Sequence, residues 1–131
     1  MKHIFITGAT GFLGWDIVKN LIEEDEHSNL YLLVRGDSEQ AAIDRVRKLI
    51  RKSYESDRIK KINERIEVIK GDIAERGLGI SRFQLDRLHK KIDTIYHCAA
   101  LCDFEVPLRP IRRINVFGTK NVLDLALRCK E

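Results

Sequence analysis

His3-Ile4-Phe5-Ile6-Thr7 opens the chain with an apolar run that stops at Gly8, a pattern that predicts a short buried parallel strand. From Phe12 to about Glu24 the period changes, and Leu13, Ile17, Val18, Leu21 and Ile22 fall on one stripe of a helix. Leu30-Tyr31-Leu32-Leu33-Val34 is a second strand-like run, closed by Arg35-Gly36-Asp37-Ser38. Behind it, Ala42, Ile43, Val46, Leu49 and Ile50 return at helical spacing, with Arg45, Arg47, Lys48, Arg51 and Lys52 between them. Arg65-Ile66-Glu67-Val68-Ile69-Lys70 predicts a third strand. Ser81 is placed to cap a helix through Phe83, Leu85, Leu88 and Ile92, and Asp93-Thr94-Ile95-Tyr96-His97 predicts a fourth strand. A last helix, about Pro110 to Arg128, carries Ile114, Phe117, Val122, Leu123, Leu125, Ala126 and Leu127.

Strands that alternate with helices pair in parallel through right-handed crossovers, so the expected fold class is α/β: a Rossmann-type doubly wound sheet of about four strands. Sequence order suggests the spatial order 3-2-1-4, with a ligand crevice between the first and fourth strands, where the order reverses. One domain over residues 1–131 accounts for the whole pattern, and it reads as incomplete. The sequence closes on Arg128-Cys129-Lys130-Glu131 at the end of a helix, as expected of the N-terminal portion of a larger domain. Stopping after the fourth strand would leave an open sheet edge, through which copies are expected to associate.

Composition fits a globular domain, with 44% apolar and 34% charged residues. The net charge of +4 is local: between Gln40 and Arg65 nine Lys or Arg face four Asp or Glu, so the remainder sums to −1. Such a face is either the solvated side of a surface helix or an electropositive approach to a phosphate-bearing ligand. Nucleic acid is not the expected partner, because no zinc, homeodomain or RNP-type motif accompanies the charge. Neither a signal peptide nor an apolar run long enough to span a bilayer is present, so no membrane role is expected. Cys98, Cys102 and Cys129, an odd number without a secretory signal, point to a reducing cytoplasm.

The candidate chemistry lies in Gly8-Ala9-Thr10-Gly11-Phe12-Leu13-Gly14, between the first strand and the first helix. Gly8 permits a tight turn, Gly11 lets a pyrophosphate sit against backbone N–H groups at the positive helix end, and Gly14 allows close packing of helix on strand. A dinucleotide cofactor is therefore expected. Where a NAD-selective domain would place an acid on the ribose 2′-OH, this chain has Arg35, which favours NADP. Arg45 could supply a second cation if its helix turns that face inward. Asp37 stands close enough in sequence to keep NAD open. His97, Cys98, Cys102 and Asp103 match no familiar zinc spacing and are expected to be buried strand-end residues, with no metal.

Thr7-Gly8-Ala9-Thr10-Gly11-Phe12-Leu13-Gly14, Leu33-Val34-Arg35, Gly71-Asp72-Ile73, His97-Cys98-Ala99-Ala100 and Asn115-Val116-Phe117-Gly118-Thr119 together resemble the extended short-chain dehydrogenase/reductase superfamily. Within it, the Leu-Val-Arg strand end, the basic helix, Gly71-Asp72-Ile73 and Gly77-Leu78-Gly79-Ile80-Ser81 are most similar to thioester reductase domains. Those include the reductases of carboxylic acid reductases and peptide synthetases, and the fatty acyl-CoA reductases. The resemblance implies that Thr10, Gly11, Phe12 and Leu13 wrap the pyrophosphate and that Arg35 and Arg45 take the 2′-phosphate. It implies that Asp72 accepts from the adenine amino group with Ile73 against the ring, unless Asp72 merely caps a turn. Ala99, Ala100 and Leu101 would line the ribose and the route to the nicotinamide, and Asn115 would tie the last helix to the fourth strand. The superfamily's Tyr and Lys, four residues apart, are missing: Tyr31, Tyr54 and Tyr96 are followed four places on by Arg35, Arg58 and Ala100. The implied parent is an NADP-dependent reductase of an acyl thioester, on coenzyme A or an acyl carrier, and this chain alone is expected to be inactive. A nucleotide-sugar epimerase or dehydratase fragment and a non-catalytic nucleotide-binding module stay open beside it.

Overall fold

The computed structural model describes residues 1–103 and 105–129, so Lys130 and Glu131 of the chain's end lie outside it. Strands β1 (His3–Thr7), β2 (Asn29–Val34), β3 (Ile66–Lys70) and β4 (Thr94–His97) form one parallel sheet in the order β3-β2-β1-β4. This is the order expected from the alternation of elements. Thr7 pairs with Leu33 on one side and His97 on the other, so the strands finish level at one edge.

Period-two alternation assigns the two faces of the sheet. Ile4, Ile6, Leu30, Leu32 and Val34 meet helix α1 (Phe12–Glu24) through Trp15, Val18 and Ile22. On that same face lie Ala42, Val46 and Ile50 of α2 (Glu39–Ser53) and Ile62 of α3 (Ser56–Arg65). Phe5, Tyr31, Leu33 and Ile69 meet Leu88 of α4 (Arg82–Lys91) on the other face. That side is completed by one continuous helical stretch: α5 (Leu108–Ile111), a π-helical turn (Arg112–Phe117) and α6 (Gly118–Ala126), which contributes Val122 and Leu125. Each fully buried Val, Leu or Ile is worth about 1.5–3 kcal/mol, so both layers are needed to hold the sheet.

Several boundaries differ from the sequence expectation, each for a local reason. The basic stretch is two helices, because Tyr54 and Glu55 adopt extended backbone between α2 and α3, and the Tyr54 ring carries the Arg58 guanidinium 5.1 Å from its centroid. Arg65 ends α3 and does not open β3; its guanidinium donates to the carbonyls of Ile22 and Ser28, 3.1 Å each, and of Asp25, closing the C-terminal end of α1. Phe83, on the expected helix, is 80% exposed, and the Ser81 cap is present and accepts from Gln84 N–H at 3.2 Å. Only part of the last helix's apolar stripe is buried, and Phe117, Leu123 and Leu127 face outward. Gly77, Leu78 and Gly79 form a left-handed turn with φ of 63°, 60° and 64°. The conformation is unfavourable for leucine, yet it buries that side chain and aims the Leu78 carbonyl at Asp72 N–H, 2.9 Å away. No helix of the described residues is long and apolar enough to cross a membrane.

Candidate functional site

A cavity of about 320 Å³ opens at the level edge of the sheet, where the turns after β1, β2, β3 and β4 converge. This is the crevice that the reversal of strand order requires. At its centre is the first turn. Gly8 has φ +69°, and a Cβ there would stand 2.5 Å from Ala99 N, so the turn after β1 lies directly on the turn after β4. A Cβ on Gly14 would fall 2.6 Å from the Gly8 carbonyl carbon and closer still to its oxygen, so α1 rests on the turn without any intervening side chain.

Gly11 is different. Its backbone, φ −81° and ψ 175°, suits any residue, and a Cβ would meet only the Gly8 oxygen, at 3.3 Å. Gly11 N-caps α1 and no side chain caps that helix, whereas Ser38 and Ser81 cap α2 and α4. The first-turn N–H groups of α1 thus have no capping side chain, and the positive end of the helix is open to an acceptor. Phe12 and Leu13, expected at the site, are 93% and 62% exposed and, with Gly14, are not among the residues that line the cavity.

Arg35 and Arg45 both line the cavity beyond the end of β2. Arg45 does face inward: its Nη1 donates to the Arg35 carbonyl at 2.8 Å and its Nη2 to Thr10 Oγ1 at 3.2 Å. A guanidinium held at two points keeps its orientation and still has N–H donors to spare. Asp37, the residue that kept NAD open, is exposed and not among the lining residues. Asp72 and Ile73 form the wall after β3. Asp72 also caps its own turn, Oδ1 accepting from Ala74 N–H at 2.9 Å, so the turn-capping role and a position on the cavity wall coexist.

Ala99, Ala100 and Leu101 line the remaining side. Asn115 fastens them: Oδ1 accepts from Leu101 N–H at 2.7 Å and Nδ2 donates to the Leu101 carbonyl at 3.0 Å. The tie expected to reach the fourth strand therefore reaches the loop four residues beyond it. The wider turn of the π-helical segment carries both Asn115 and Ile114, which lines the cavity.

Sequence reasoning missed four polar residues that complete this frame. Asn121 Nδ2 donates to the carbonyls of Ile73 and Glu75, at 2.7 and 3.2 Å, binding α6 to the turn after β3. Thr7, His97 and Thr119 form a chain across β1, β4 and α6, with 2.6 Å from Thr7 Oγ1 to His97 Nδ1 and 3.2 Å from His97 Nε2 to Thr119 Oγ1. The i, i+4 spacing of Asn115 and Thr119 was the available signal, since it places both on one helix face. Both ring nitrogens of His97 are taken by hydroxyls, whereas Cys102 and Asp103, expected to be buried at the strand end, are exposed in the loop beyond it. Burial holds the His97 titration below its ordinary range and pushes the Cys98 thiol up, so both are neutral near pH 7.

The male sterility protein family model matches residues 6–131. A linear gramicidin synthase of Brevibacillus parabrevis is 37% identical over 121 residues, 92% of this chain and 2% of the relative. Fatty acyl-CoA reductase 2 of Mus musculus is 33% identical over 130 residues, 95% of this chain and 25% of the relative. Among solved structures, the terminal R domain from the myxalamid PKS-NRPS biosynthetic pathway superposes with a TM-score of 0.86 at 36% identity, over 99% of this chain and 33% of that one. The chain thus spans a third or less of each of these relatives.

Proposed function

The chain belongs to the male sterility protein family of NAD-binding domains, and on that premise we propose that it is the NADP(H)-binding portion of a reductase of acyl thioesters. One observation carries the reading: a single cavity is lined by Gly11, at the uncapped N-terminus of α1, and by two arginines, Arg35 and Arg45, with Arg45 held against Thr10. A helix N-terminus and two guanidinium groups in one cavity suit a molecule with a pyrophosphate and a further phosphate on one ribose. In the proposed site, the backbone from Thr10 to Leu13 receives the pyrophosphate and Gly8 and Gly14 hold that backbone in place. Arg35 and Arg45 receive the 2′-phosphate, Asp72 and Ile73 the adenine, and Ala99, Ala100 and Leu101 the ribose on the nicotinamide side. When bound, the dinucleotide supplies the hydride that reduces a carbonyl carbon.

Fatty acyl-CoA reductases and synthetase reductase domains among the relatives support a thioester as substrate, carried on coenzyme A or on a carrier domain. Free Cys98, Cys102 and Cys129 suit a cytoplasmic, reducing setting. The 131-residue sequence has no Tyr and Lys four residues apart to donate a proton to the developing oxyanion, so this chain binds cofactor without turning over thioester. Titration calorimetry with NADPH and NADH at one ionic strength tests the cofactor assignment. NADPH is expected to bind about tenfold or more tightly, a preference lost in Arg35→Ala and in Arg45→Ala. Equal affinity for the two cofactors overturns it.

A further inference from the structure

We infer that His97 is a positioning residue for the nucleotide site: as the neutral Nε2–H tautomer between Thr7 and Thr119 it fixes the Ala99 amide against the glycine turn, and its protonation loosens that junction. The hydrogen-bond directions follow from the distances. Thr119 Oγ1 donates to the Asn115 carbonyl at 2.6 Å, so toward His97 Nε2 it can only accept. Nε2 therefore carries the ring proton, Nδ1 is bare, and the Thr7 hydroxyl donates to it across 2.6 Å. Thr7 Oγ1 in turn accepts from Cys98 and Ala99 N–H, 3.2 Å each. Donors run in one direction, from the turn after β4 through β1 and the imidazole to the last helix.

Adding a proton to Nδ1 gives Thr7 Oγ1 a third donor and removes the acceptor of its own hydrogen. Cys98 N–H has a second partner in the Thr7 carbonyl, at 3.1 Å, so the amide left without one is that of Ala99. Ala99 lines the cavity, and its nitrogen is the atom that a Gly8 side chain would strike. Among the described residues, the groups facing the imidazole are uncharged: Thr7 from β1, Thr119 from α6, and Cys98 beside it in the chain. Lys120, the adjacent cation on α6, is exposed and paired with Asp124 at 3.1 Å. Burial is the cause that moves the His97 titration, downward from 6.5. Because the folded value lies below the unfolded one, the unfolded chain takes up the proton first. The stabilisation is whole above 6.5 and is lost as pH falls through the folded value.

The effect on affinity rests on the proposed dinucleotide site, but the hydrogen-bond chain does not, and the test separates the two. Nitrogen-15 spectra of the ligand-free chain near neutral pH are expected to show a protonated Nε2 and a bare Nδ1 on His97, and the Ala99 amide signal is expected to shift with the His97 midpoint on acidification. The opposite tautomer, or an Ala99 amide indifferent to that titration, overturns the inference. In the second arm, NADH, which lacks the titrating 2′-phosphate, is bound to wild type and to His97→Gln, whose side chain keeps a neutral acceptor and donor. Wild-type affinity is expected to weaken by up to about tenfold per pH unit below the midpoint while His97→Gln stays flat, and parallel profiles overturn the link. Binding of neither NADH nor NADPH at any pH would refute the dinucleotide site, with the spectra still deciding on His97.

Discussion

At the first turn of the sheet, Gly8 to Gly14, position is set by side chains that are missing, whereas at the turn after β4, Cys98 to Leu101, it is set by side chains that hydrogen-bond. The two turns touch, Ala99 against Gly8, and share the wall of one cavity. Steric contact holds the first: helix on carbonyl, backbone on backbone, with no polar group to titrate. Directional bonds hold the second, from Thr7, Asn115 and the His97 chain. A contact of the first kind is lost all at once when a methyl group is added. Bonds of the second kind can be removed one at a time, each for about 1–3 kcal/mol where a buried partner is orphaned.

Substitutions that add or delete single groups should reproduce this contrast. The largest effect on stability is expected from Gly14→Ala, whose Cβ would overlap the Gly8 carbonyl and press on Ala9 Cα, backbone atoms with no flexible side chain to yield. Thermal unfolding should show a loss of about 3 kcal/mol or more, or no folded protein at all. A variant as stable as wild type would mean that α1 can lift from the turn. A smaller loss, about 1–3 kcal/mol, is expected for Asn115→Ala, which leaves the Leu101 N–H and carbonyl without partners. Amide exchange should accelerate at Leu101 while the sheet centre stays protected, and uniform exchange throughout would deny Asn115 its local role.

The same contrast explains how much of the molecule was legible in its sequence. Four strands, their order and the glycine turn were readable, because apolar periodicity and residues without side chains leave their mark within a few neighbouring positions. Thr7 and His97 are 90 residues apart and meet only because β1 and β4 pair, so nothing local distinguished His97 from any strand-end histidine. The inward turn of Arg45 was likewise a matter of helix rotation, which the positions of Ala42, Val46 and Ile50 in the core determine. Phe83, Phe117, Leu123 and Leu127 lie in helices read from apolar spacing yet face solvent, as apolar side chains commonly do on folded surfaces.

Gly11 stands between the two regimes, since it belongs to the steric turn yet a Cβ there would press on a single atom, the Gly8 oxygen at 3.3 Å, without overlapping it. Gly11→Val is therefore expected to cost only about 1 kcal/mol of stability, the loss of a glycine N-cap, while removing the backbone approach to the first-turn N–H groups of α1. Circular dichroism and calorimetric titration with NADPH on the same samples measure both quantities. The expected result is a folded variant with binding weakened by about 100-fold or more, against a wild type that binds. Undiminished affinity in a folded Gly11→Val protein would contradict the placement of the pyrophosphate on this turn, and with it the dinucleotide site itself.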